Sequence, residues 1–339
     1  MGQHYGQLTA SERNFLQSSL NKGHSQAAIA LALQRSRSTI SREIARNGRA
    51  RSEYDAASAR EAVAARRRRG PCKLREGSAL RIHAFAHIRL GWSPQQISGK
   101  LKQMQDSDAT GPKLPNLSHE TIYRAIYILP RGEIRKEIIG LLRQAKKSRG
   151  LRSPAKERRG GLIDMVSIHD RPPDVLTREF PGDWEGDFVK GAGNASAIGT
   201  LIERKSRFTI LAKMKDCGSE AALKGFTRAL ERVPEAMRKS LAYDQGKEMA
   251  RHKELAKALN IIVYFCDPHS PWQRPGNENT NGLVRQYLPK GIDLSIYSQR
   301  DLDAIADSLN TRPRACLGFQ TPEEVFNAEY RKAAVALQL

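Results

Sequence analysis

The chain has 339 residues, of which 57 are Lys or Arg, 36 are Asp or Glu and four are Cys. No apolar run approaches the roughly 18 residues that span a bilayer, and the first residues lack the basic and then apolar pattern of a signal peptide. The scattered cysteines form no CxxC pair, which argues against a disulfide framework or a zinc site. We therefore expect a cytoplasmic protein of two or three domains with no membrane partner.

The positive charge is concentrated in the first half of the chain. Residues 1–160 hold 32 basic and 12 acidic side chains, whereas the remainder holds 25 basic and 24 acidic ones. A basic half joined to a balanced half is typical of a polyanion-binding arm on a globular body. The alternative, a basic surface that only confers solubility, accounts poorly for so large an excess.

Two short helices joined by a tight turn are predicted near the N-terminus. SQAAIALAL (25–33) and RSTISREIARNG (37–48) are the two helices, and Ile40 and Ile44 of the second face inward. This is the pattern of a helix-turn-helix, whose second helix enters the major groove of DNA. Any three-helix bundle shares the packing, so the Arg- and Ser-rich outer face is what favours DNA binding. The candidate readers of base edges on that face are Arg37, Ser38, Ser41 and Arg42.

Four consecutive arginines end the next predicted helix, residues 54–70. Cations also suit the C-terminal end of a helix dipole, but four adjacent ones exceed that need and predict phosphate contacts. These candidates are Arg66, Arg67, Arg68 and Arg69.

A second helical pair is predicted before the middle of the chain. Residues 91–103 and 117–127 read as capped helices joined by a long loop, which resembles a helix-turn-helix with an enlarged turn. Residues 143–161 are basic and rich in Gly, Ser and Pro, which is typical of a linker that follows a phosphate backbone.

From residue 181 the pattern changes to strands. GDWEGDFVKG and SAIGTLIERKSRFTILAKM predict three antiparallel strands with a hairpin turn near Lys205. A helix at 219–233, the strand SLAYD, another helix, the strand NIIVYFCDP and a helix from Asn277 to Tyr287 follow, with Asn277 a candidate N-cap. This order matches a mixed α/β sheet of the ribonuclease H-like type. A Rossmann domain is excluded because no GxGxxG follows the first strand.

Carboxylates lie at the ends of these predicted strands and on the last helix. Asp187 follows WEG, Asp244 ends the strand SLAYD, and Glu278 lies in the Asn-rich helix. Carboxylate oxygens suit Mg²⁺, and two ions about 3.5–4 Å apart support phosphoryl transfer. Periodicity alone does not choose among the alternating acids, because Asp183 and Glu185 share a strand face with Asp187.

Four motifs are similar to the catalytic core of insertion-sequence transposases of the IS-thirty family. They are GDWEGDFVKG, TLIERKSRFT, YDQGKEMA and DPHSPWQRPGNENTNGLVRQYLPKG. The resemblance covers most of the chain and implies a DDE triad at Asp187, Asp244 and Glu278, which are both the catalytic and the metal-binding residues. It also implies two Mg²⁺ ions, for which Mn²⁺ would substitute, and no small-molecule cofactor. Pro275 departs from the small residue expected there.

The resemblance implies a multidomain protein in which all-α helix-turn-helix units precede a retroviral integrase-like mixed-sheet catalytic domain. The expected parts are a DNA-binding domain at 1–50, a helical region with the second helix-turn-helix at 51–142, a basic linker at 143–175 and the catalytic domain with C-terminal helices at 176–339.

The implied activity is that of a DNA transposase. It would bind the terminal inverted repeats of its element, free 3′-OH ends by metal-activated hydrolysis and join them to target DNA by direct transesterification. The alternatives are a DNA-binding regulator whose integrase-like half only assembles oligomers, and a ribonuclease H-like nuclease without strand transfer.

Further DNA contacts are expected around Glu278. Helical spacing places Asn281 and Arg285 on its face, where an amide and a guanidinium suit the DNA backbone. Trp272 either stacks on an opened base or anchors its loop. Since two element ends must be held at once, we also expect a homo-oligomer, a dimer or larger. Its candidate contacts are the C-terminal helices at 301–310 and 323–339. Covering the core is the favoured role of the first helix, whereas the second is equally suited to either role.

Overall fold

The computed structural model describes residues 7–48, 53–67, 72–106, 114–142, 162 and 164–336. The chain divides into two compact units, Met1–Arg75 and Glu76–Leu339. Within the described residues, no helix is long and apolar enough to cross a membrane.

The first unit is a helical bundle. Its helices are α1 (Ala10–Asn21), α2 (Gln26–Ala32), α3 (Arg37–Asn47) and α4 (Ala56–Arg67). The side chains of Ser25 and Ser36 accept backbone N–H groups at the starts of α2 and α3, so each helix begins at a hydrogen-bonded N-cap. The predicted helix pair is therefore confirmed. Ile40 and Ile44 are buried in the shared core, as their spacing predicts.

The unit extends past residue 50, where the sequence placed the end of the first domain. Tyr54, Ala56 and Ala59 are buried in the same core as α1 to α3, because α4 packs on α1. A buried ion pair also joins α1 to α3, with Arg13 Nε 2.6 Å from a carboxylate oxygen of Glu43. These contacts make α4 part of the N-terminal bundle.

Among the described residues, the second unit begins with four helices that precede the sheet. They are α5 (Ala79–Arg89), α6 (Pro94–Asp106), α7 (His119–Ile128) and α8 (Glu133–Leu141). The second predicted helix pair corresponds to α6 and α7, and Ser118 is the N-cap of α7 as expected. Part of the loop between them, residues 107–113, lies outside the described residues.

These helices are attached directly to the C-terminal part of the unit. Gln96 Nε2 donates to the carbonyl oxygen of Pro313 at 2.8 Å, and Lys100 Nζ lies 2.7 Å from the carboxylate of Glu324. Gly99 allows the ring of Phe319 to approach so closely that a Cβ at residue 99 would lie 2.2 Å from it. The α6 helix therefore has both apolar and charged contacts with the C-terminal elements.

A six-stranded mixed sheet forms the centre of the unit. Its strands are β1 (Val166–Ser167), β2 (Asp183–Lys190), β3 (Ala197–Glu203), β4 (Thr209–Lys213), β5 (Ser240–Tyr243) and β6 (Ile262–Phe265), in the order β1-β6-β5-β2-β3-β4. The β2, β3 and β4 strands are antiparallel neighbours, whereas β1, β6, β5 and β2 run parallel. The mixed ribonuclease H-like sheet predicted from the sequence is confirmed.

Helices cover both faces of this sheet. They are α10 (Ser219–Glu231), α11 (His252–Leu259), α12 (Pro275–Val284), α13 (Gln299–Asn310) and α14 (Pro322–Ala336), and the short α9 (Asp174–Thr177) precedes β2. Phe226 and Leu255 of α10 and α11 belong to the larger apolar core. Leu283 and Leu302 of α12 and α13 belong to a second core cluster with Val189 of β2.

One strand lies where the sequence predicted a linker. Residues 143–161 lie outside the described residues, so the linker prediction stays a prediction there. Val166 and Ser167, however, pair in parallel with Tyr264 and Phe265 of β6. A two-residue edge strand is too short to show alternation, which is why the sequence pattern did not predict it.

The two C-terminal helices differ in how they contact the core. Leu302 and Leu309 of α13 are fully buried, so this helix covers the sheet. In α14, Phe326 stacks on Phe208 with ring centroids 4.2 Å apart, whereas Val335 is exposed. Most of the apolar side of α14 therefore faces its own sheet.

Candidate active site and nucleic-acid interface

Asp187 and Asp244 lie side by side because their strands are parallel neighbours. Glu185 of β2 is opposite Ala242 of β5, and two residues further along each strand bring Asp187 level with Asp244. Asp244 directly follows β5, at the carboxyl edge where ligands of α/β proteins bind, and Asp187 lies beside it within the longer β2. The structure thus brings these two predicted residues together.

Both carboxylates face the guanidinium of Arg274. Its Nη1 lies 3.6 Å from Oδ1 of Asp187, and its Nη2 lies 3.4 Å from Oδ2 of Asp244. The side chain of Arg274 is 11% exposed, and its Nη1 also donates to the carbonyl oxygen of Gly186 at 2.5 Å. Burial alone would lower the pKa of Arg274, but the two carboxylates raise it above its usual value.

Asp187 is held by neutral donors on its other sides. Oδ1 accepts the backbone N–H of Phe188 at 2.9 Å, and Oδ2 accepts Nδ2 of Asn281 at 2.8 Å. Burial nevertheless raises the pKa of Asp187, and the negative charge of Asp244 adds to this effect although Arg274 opposes it. The carboxylate is therefore incompletely compensated by the protein, which is the condition that favours binding of a further cation.

The helix that carries Glu278 begins earlier than the sequence suggested. Asn277 is not the N-cap of α12; that position belongs to Arg274, and Pro275 is the first helical residue. Proline suits the first turn because its missing N–H needs no partner there. Asn277 is instead buried inside the first turn, so its prediction as an N-cap is wrong.

Glu278 lies on α12 one turn before Asn281, and its side chain is exposed. Among the described residues, no group of three or more His, Cys, Asp or Glu side chains is close enough to hold a metal ion. The structure therefore brings together Asp187 and Asp244 but does not place the Glu278 carboxylate beside them.

Glu185 connects β2 to the start of α12. Its Oε2 accepts the backbone N–H of Asn277 at 3.2 Å, and its Oε1 lies 3.1 Å from Nη1 of Arg204. Both side chains of the ion pair are buried. A Cβ at Gly276 would lie 2.7 Å from Oε2, so glycine is required there for the helix to approach the carboxylate.

Two further acids near these strands, Asp183 and Asp267, have partners outside this site. Asp183 accepts the hydroxyl of Ser240. Asp267 accepts Nε2 of Gln273 at 2.7 Å and lies 2.8 Å from Nε2 of His169. Of the alternating acids on β2, Asp187 is the one whose carboxylate faces Asp244.

The residues at this edge fit a divalent cation in part. Two carboxylates already converge on one positive group, and oxygen ligands of this kind suit Mg²⁺. Within the described residues, Oδ1 of Asn281 and the hydroxyl of Tyr243 are buried without a hydrogen-bond partner. Asp187 and Asp244 are thus suited to hold a cation. Within the described residues, the Glu278 carboxylate does not join them in a group that could bind a metal ion.

The candidate base readers are displayed on α3. All four of Arg37, Ser38, Ser41 and Arg42 are exposed on the helix side opposite its buried isoleucines. Arg42 donates from Nε and Nη2 to the carbonyl and hydroxyl oxygens of Ser38, at 3.1 and 3.0 Å. These bonds orient the Arg42 guanidinium along the exposed face, and base contact by this face stays a prediction.

The arginine run is described only at its start. Arg66 donates to Oδ1 of Asn47 and to the carbonyl oxygen of Arg46, at the C-terminal end of α3. Arg68 and Arg69 lie outside the described residues, as does the side chain of Arg67. Arg66 thus has a structural partner, and the phosphate contacts of the run stay predictions.

The three residues near α12 that were predicted to contact DNA differ in their exposure and in their hydrogen bonds. Trp272 is 70% exposed, which does not fit a residue that anchors its loop by burial. Asn281 binds Asp187. Arg285 donates to the carbonyl oxygens of Lys190 at 2.8 Å and of Leu288 at 3.3 Å, so backbone groups already use its guanidinium. DNA contact by these residues stays a prediction.

Arg274 and Arg204 are residues of the site that sequence reasoning missed, and Glu185 was considered only as an alternative to Asp187. Arg274 was visible as the one cation in the stretch SPWQRPGNEN, four residues before Glu278. No sequence signal links Glu185 to Arg204, because that contact depends on the β2–β3 pairing and on the approach of α12.

Two family models match the chain. A helix-turn-helix domain matches residues 4–47, and an integrase core domain matches residues 179–271. The second range includes Asp187 and Asp244 but ends before Glu278.

Curated relatives match over nearly the whole chain. The transposase for insertion sequence element IS1086 of Cupriavidus metallidurans is 50% identical over 95% of this chain and 94% of its own. Transposase InsI for insertion sequence element IS30A of Escherichia coli is 41% identical over 94% of this chain and 82% of its own. Among solved structures, the catalytic core domain of BIV integrase is 19% identical, with a TM-score of 0.34 over 44% of this chain and 97% of its own.

Proposed function

This chain belongs to the IS30 family of insertion-sequence DNA transposases, and we propose that it cuts and joins DNA with the carboxylates of Asp187, Asp244 and Glu278. The observation that carries the proposal is the pairing of Asp187, within β2, with Asp244, directly after β5, around one cationic group. Catalysis by two metal ions needs hard oxygen ligands at one point that DNA can reach.

The reaction follows from the chemistry of phosphodiesters. Water attacks the phosphorus at the element end, and the bond from phosphorus to O3′ breaks, which leaves a 3′-hydroxyl and a 5′-phosphate. That 3′-hydroxyl then attacks a phosphorus of the target strand and displaces its O3′. Each step exchanges one P–O bond for another, so no covalent bond to the enzyme is needed.

Integrase-core transposases generally act with a divalent metal ion. We propose Mg²⁺ for this chain, with Mn²⁺ as a substitute and two ions in the assembled complex. Bound metal would activate the attacking oxygen and stabilise the departing one. Asp187 and Asp244 would supply fixed ligands, and Glu278 would complete the set from α12.

The neighbouring side chains keep those ligands in position. Asn281 fixes one oxygen of Asp187, and the backbone N–H of Gly246 donates to Oδ1 of Asp244 at 3.0 Å. Glu185 fixes the first turn of α12 against β2. Because Glu278 is exposed on this turn, we infer that its carboxylate completes the site by a change of its own rotamer.

The basic first half supplies DNA binding. We propose that α3 reads the terminal inverted repeat in the major groove through Arg37, Ser38, Ser41 and Arg42, and that Arg66–Arg69 contact phosphates. Trp272, Asn281 and Arg285 are proposed contacts with the strand being cut. We further propose that the protein works in the cytoplasm on double-stranded element and target DNA.

Assembly is part of the proposal because one active site cannot join two element ends. We propose a homo-oligomer, a dimer or larger, formed at least when DNA is bound. The apolar side of α14 is largely occupied by Phe208 and the sheet. The exposed Val335 and Tyr330 on that helix remain as proposed contacts between copies.

A non-catalytic regulator is the less favoured function. The relatives that span 94–95% of the chain are named transposases, and the integrase core match covers both paired aspartates. A regulator would have no use for a half-buried, incompletely compensated carboxylate at Asp187.

The test is strand cleavage of a labelled element end by the purified full chain, with Mg²⁺ and with EDTA. We expect Mg²⁺-dependent cleavage that Asp187→Asn and Asp244→Asn each abolish while binding of the same DNA persists, since an amide is a poor ligand for a hard cation. Asp183→Asn is the matched control on the same face of β2 and should cleave normally. Near-normal cleavage by either aspartate variant would remove that residue from the site.

A further inference from the structure

Arg274 occupies the space on which the two aspartates converge. Its two terminal nitrogens lie 3.6 and 3.4 Å from Asp187 and Asp244, one nitrogen for each carboxylate. A guanidinium is planar and stays charged at any physiological pH. It therefore offsets part of the negative charge of both carboxylates for as long as it stays in this position.

The backbone and the surrounding groups hold the guanidinium there. Pro275 disfavours a helical conformation for the residue before it, and Arg274 has φ −127° and ψ 58°, outside the helix. Its Nη1 donates to the carbonyl oxygen of Gly186, and the guanidinium carbon lies 5.6 Å from the centre of the Tyr243 ring. The interaction with that ring adds to the attraction from the carboxylates.

A divalent ion bound by Asp187 and Asp244 would lie within a few ångströms of this guanidinium. Two positive groups so close repel each other, and the Arg274 side chain is only 11% exposed. Nε of Arg274 is buried without a hydrogen-bond partner within the described residues, so one side of the guanidinium is not held. The arrangement favours either the ion or the guanidinium at the two carboxylates.

We propose that Arg274 is a built-in counter-ion that competes with the divalent ion for Asp187 and Asp244. It holds the two carboxylates together while no ion is present, and it has to withdraw from them when an ion binds. This inference rests on the proposed function, because it takes Asp187 and Asp244 to be metal ligands. It assigns Arg274 a positioning role that sets how tightly the DNA-free protein binds metal.

The experiment measures Mn²⁺ binding to the full chain without DNA, by electron paramagnetic resonance of the free ion. Arg274→Gln removes the charge but keeps an N–H donor for Gly186, and we expect it to bind Mn²⁺ roughly tenfold more tightly than the unaltered protein. Arg274→Lys keeps the charge and should bind at most slightly more tightly. In the matched control Arg251→Gln, a guanidinium that pairs with Glu220 and Glu254 is removed, and affinity should not change.

A parallel series separates the two proposals. Asp187→Asn should lose Mn²⁺ binding whether Arg274 is present or not. If it does, and Arg274→Gln binds Mn²⁺ no more tightly than the unaltered protein, the metal site stands and competition is overturned. If Asp187→Asn binds Mn²⁺ normally, the ligand assignment in the proposed function fails as well.

A second measurement covers the case in which Arg274→Gln does not fold. A crystal structure of the unaltered chain with Mn²⁺ should show the guanidinium withdrawn from both carboxylates. A guanidinium that still lies within 3.6 Å of Asp187 and 3.4 Å of Asp244 beside bound Mn²⁺ would overturn the proposal.

Discussion

Glu185 accepts the backbone N–H of Asn277 at 3.2 Å, which ties the middle of β2 to the first turn of α12. Asp187 lies two residues further along the same strand, and Glu278 directly follows Asn277 on the helix. One buried carboxylate therefore fixes the two elements that carry the first and third proposed catalytic residues.

Replacing Glu185 should destabilise the fold. Glu185→Gln leaves Arg204 buried without an opposite charge, and loss of one partner of a buried ion pair costs about 3–5 kcal/mol. Urea unfolding followed by tryptophan fluorescence measures the change, because Trp184 is buried in the adjacent core.

The double variant Glu185→Gln with Arg204→Met serves as the control for this cost. It removes both charges and should recover part of the lost free energy of unfolding. A double variant less stable than Glu185→Gln alone would mean that the pair is not the source of the effect.

Glu278→Gln should stop catalysis without weakening the fold. The side chain is exposed, so the free energy of unfolding should change by no more than about 0.5 kcal/mol. Cleavage should fall by more than about 100-fold, the upper end of the losses caused by changing groups that only support metal ligands. The readout is Mg²⁺-dependent nicking of an element end.

Glu323→Gln is the matched control, since Glu323 is also an exposed acid in the first turn of a helix, α14. It should leave both stability and cleavage unchanged. Substantial cleavage by Glu278→Gln would exclude that carboxylate as a ligand.

The exposed face of α3 should determine sequence preference. Arg37→Ala and Arg42→Ala should each reduce discrimination between the element end and scrambled DNA by roughly 1–3 kcal/mol, the value of one bidentate base contact. Fluorescence anisotropy with both duplexes gives the difference. Lys22→Ala, at the end of α1, should lower affinity for both duplexes equally if it has any effect.

The arginine run should act on phosphates without regard to sequence. Arg68→Ala with Arg69→Ala should weaken binding to both duplexes and reduce the slope of log affinity against log salt by roughly 0.9 for each phosphate that is no longer neutralised. Arg66→Ala should in addition loosen the end of α3, because Arg66 binds Asn47 and the carbonyl of Arg46. An unchanged salt slope in the first variant would contradict the phosphate role.

Acid should loosen the helix-turn-helix through Glu12. Its hydrogen bond with Arg35, in the turn between α2 and α3, lowers the pKa of Glu12 from 4.5 to about 2. A carboxylate whose pKa is lowered by folding contributes its full stabilisation above about pH 4.5. This contribution is lost as the pH falls toward 2. Glu12→Gln should therefore speed hydrogen exchange of α3 amides roughly tenfold at pH 7, which corresponds to about 1.4 kcal/mol after allowance for solvent screening. The two proteins should exchange alike near pH 2 once intrinsic rates are corrected.

The choice of Asp187 among three acids on one strand face came from the resemblance to a transposase family, because periodicity does not distinguish them. The strand patterns made the location of β2 and β5 accessible. The position of Asn277 was not accessible, because Asn and Pro both favour the start of a helix and Pro275 took the first position.

Arg274 shows a different limit of sequence reasoning. Its neighbours in the chain are polar. Nothing in them indicates that the guanidinium lies between Asp187 and Asp244, which are 87 and 30 positions earlier in the chain. Contacts of this range depend on how α12 crosses β2 and β3, which no periodicity encodes. The Glu185 and Arg204 pair escaped prediction for the same reason.

The attachment of α6 to the C-terminal elements, through Gln96, Gly99 and Lys100, has a geometric consequence for substrate DNA. If α7, which packs on α6, holds a duplex, the cut site lies at a set number of base pairs from the bases held, because these contacts tie α6 to the unit that carries Asp187. The unit then fixes the spacing between the bound bases and the phosphodiester that is cut. Inserting about five base pairs, half a helical turn, would rotate the scissile phosphate to the far side of the duplex.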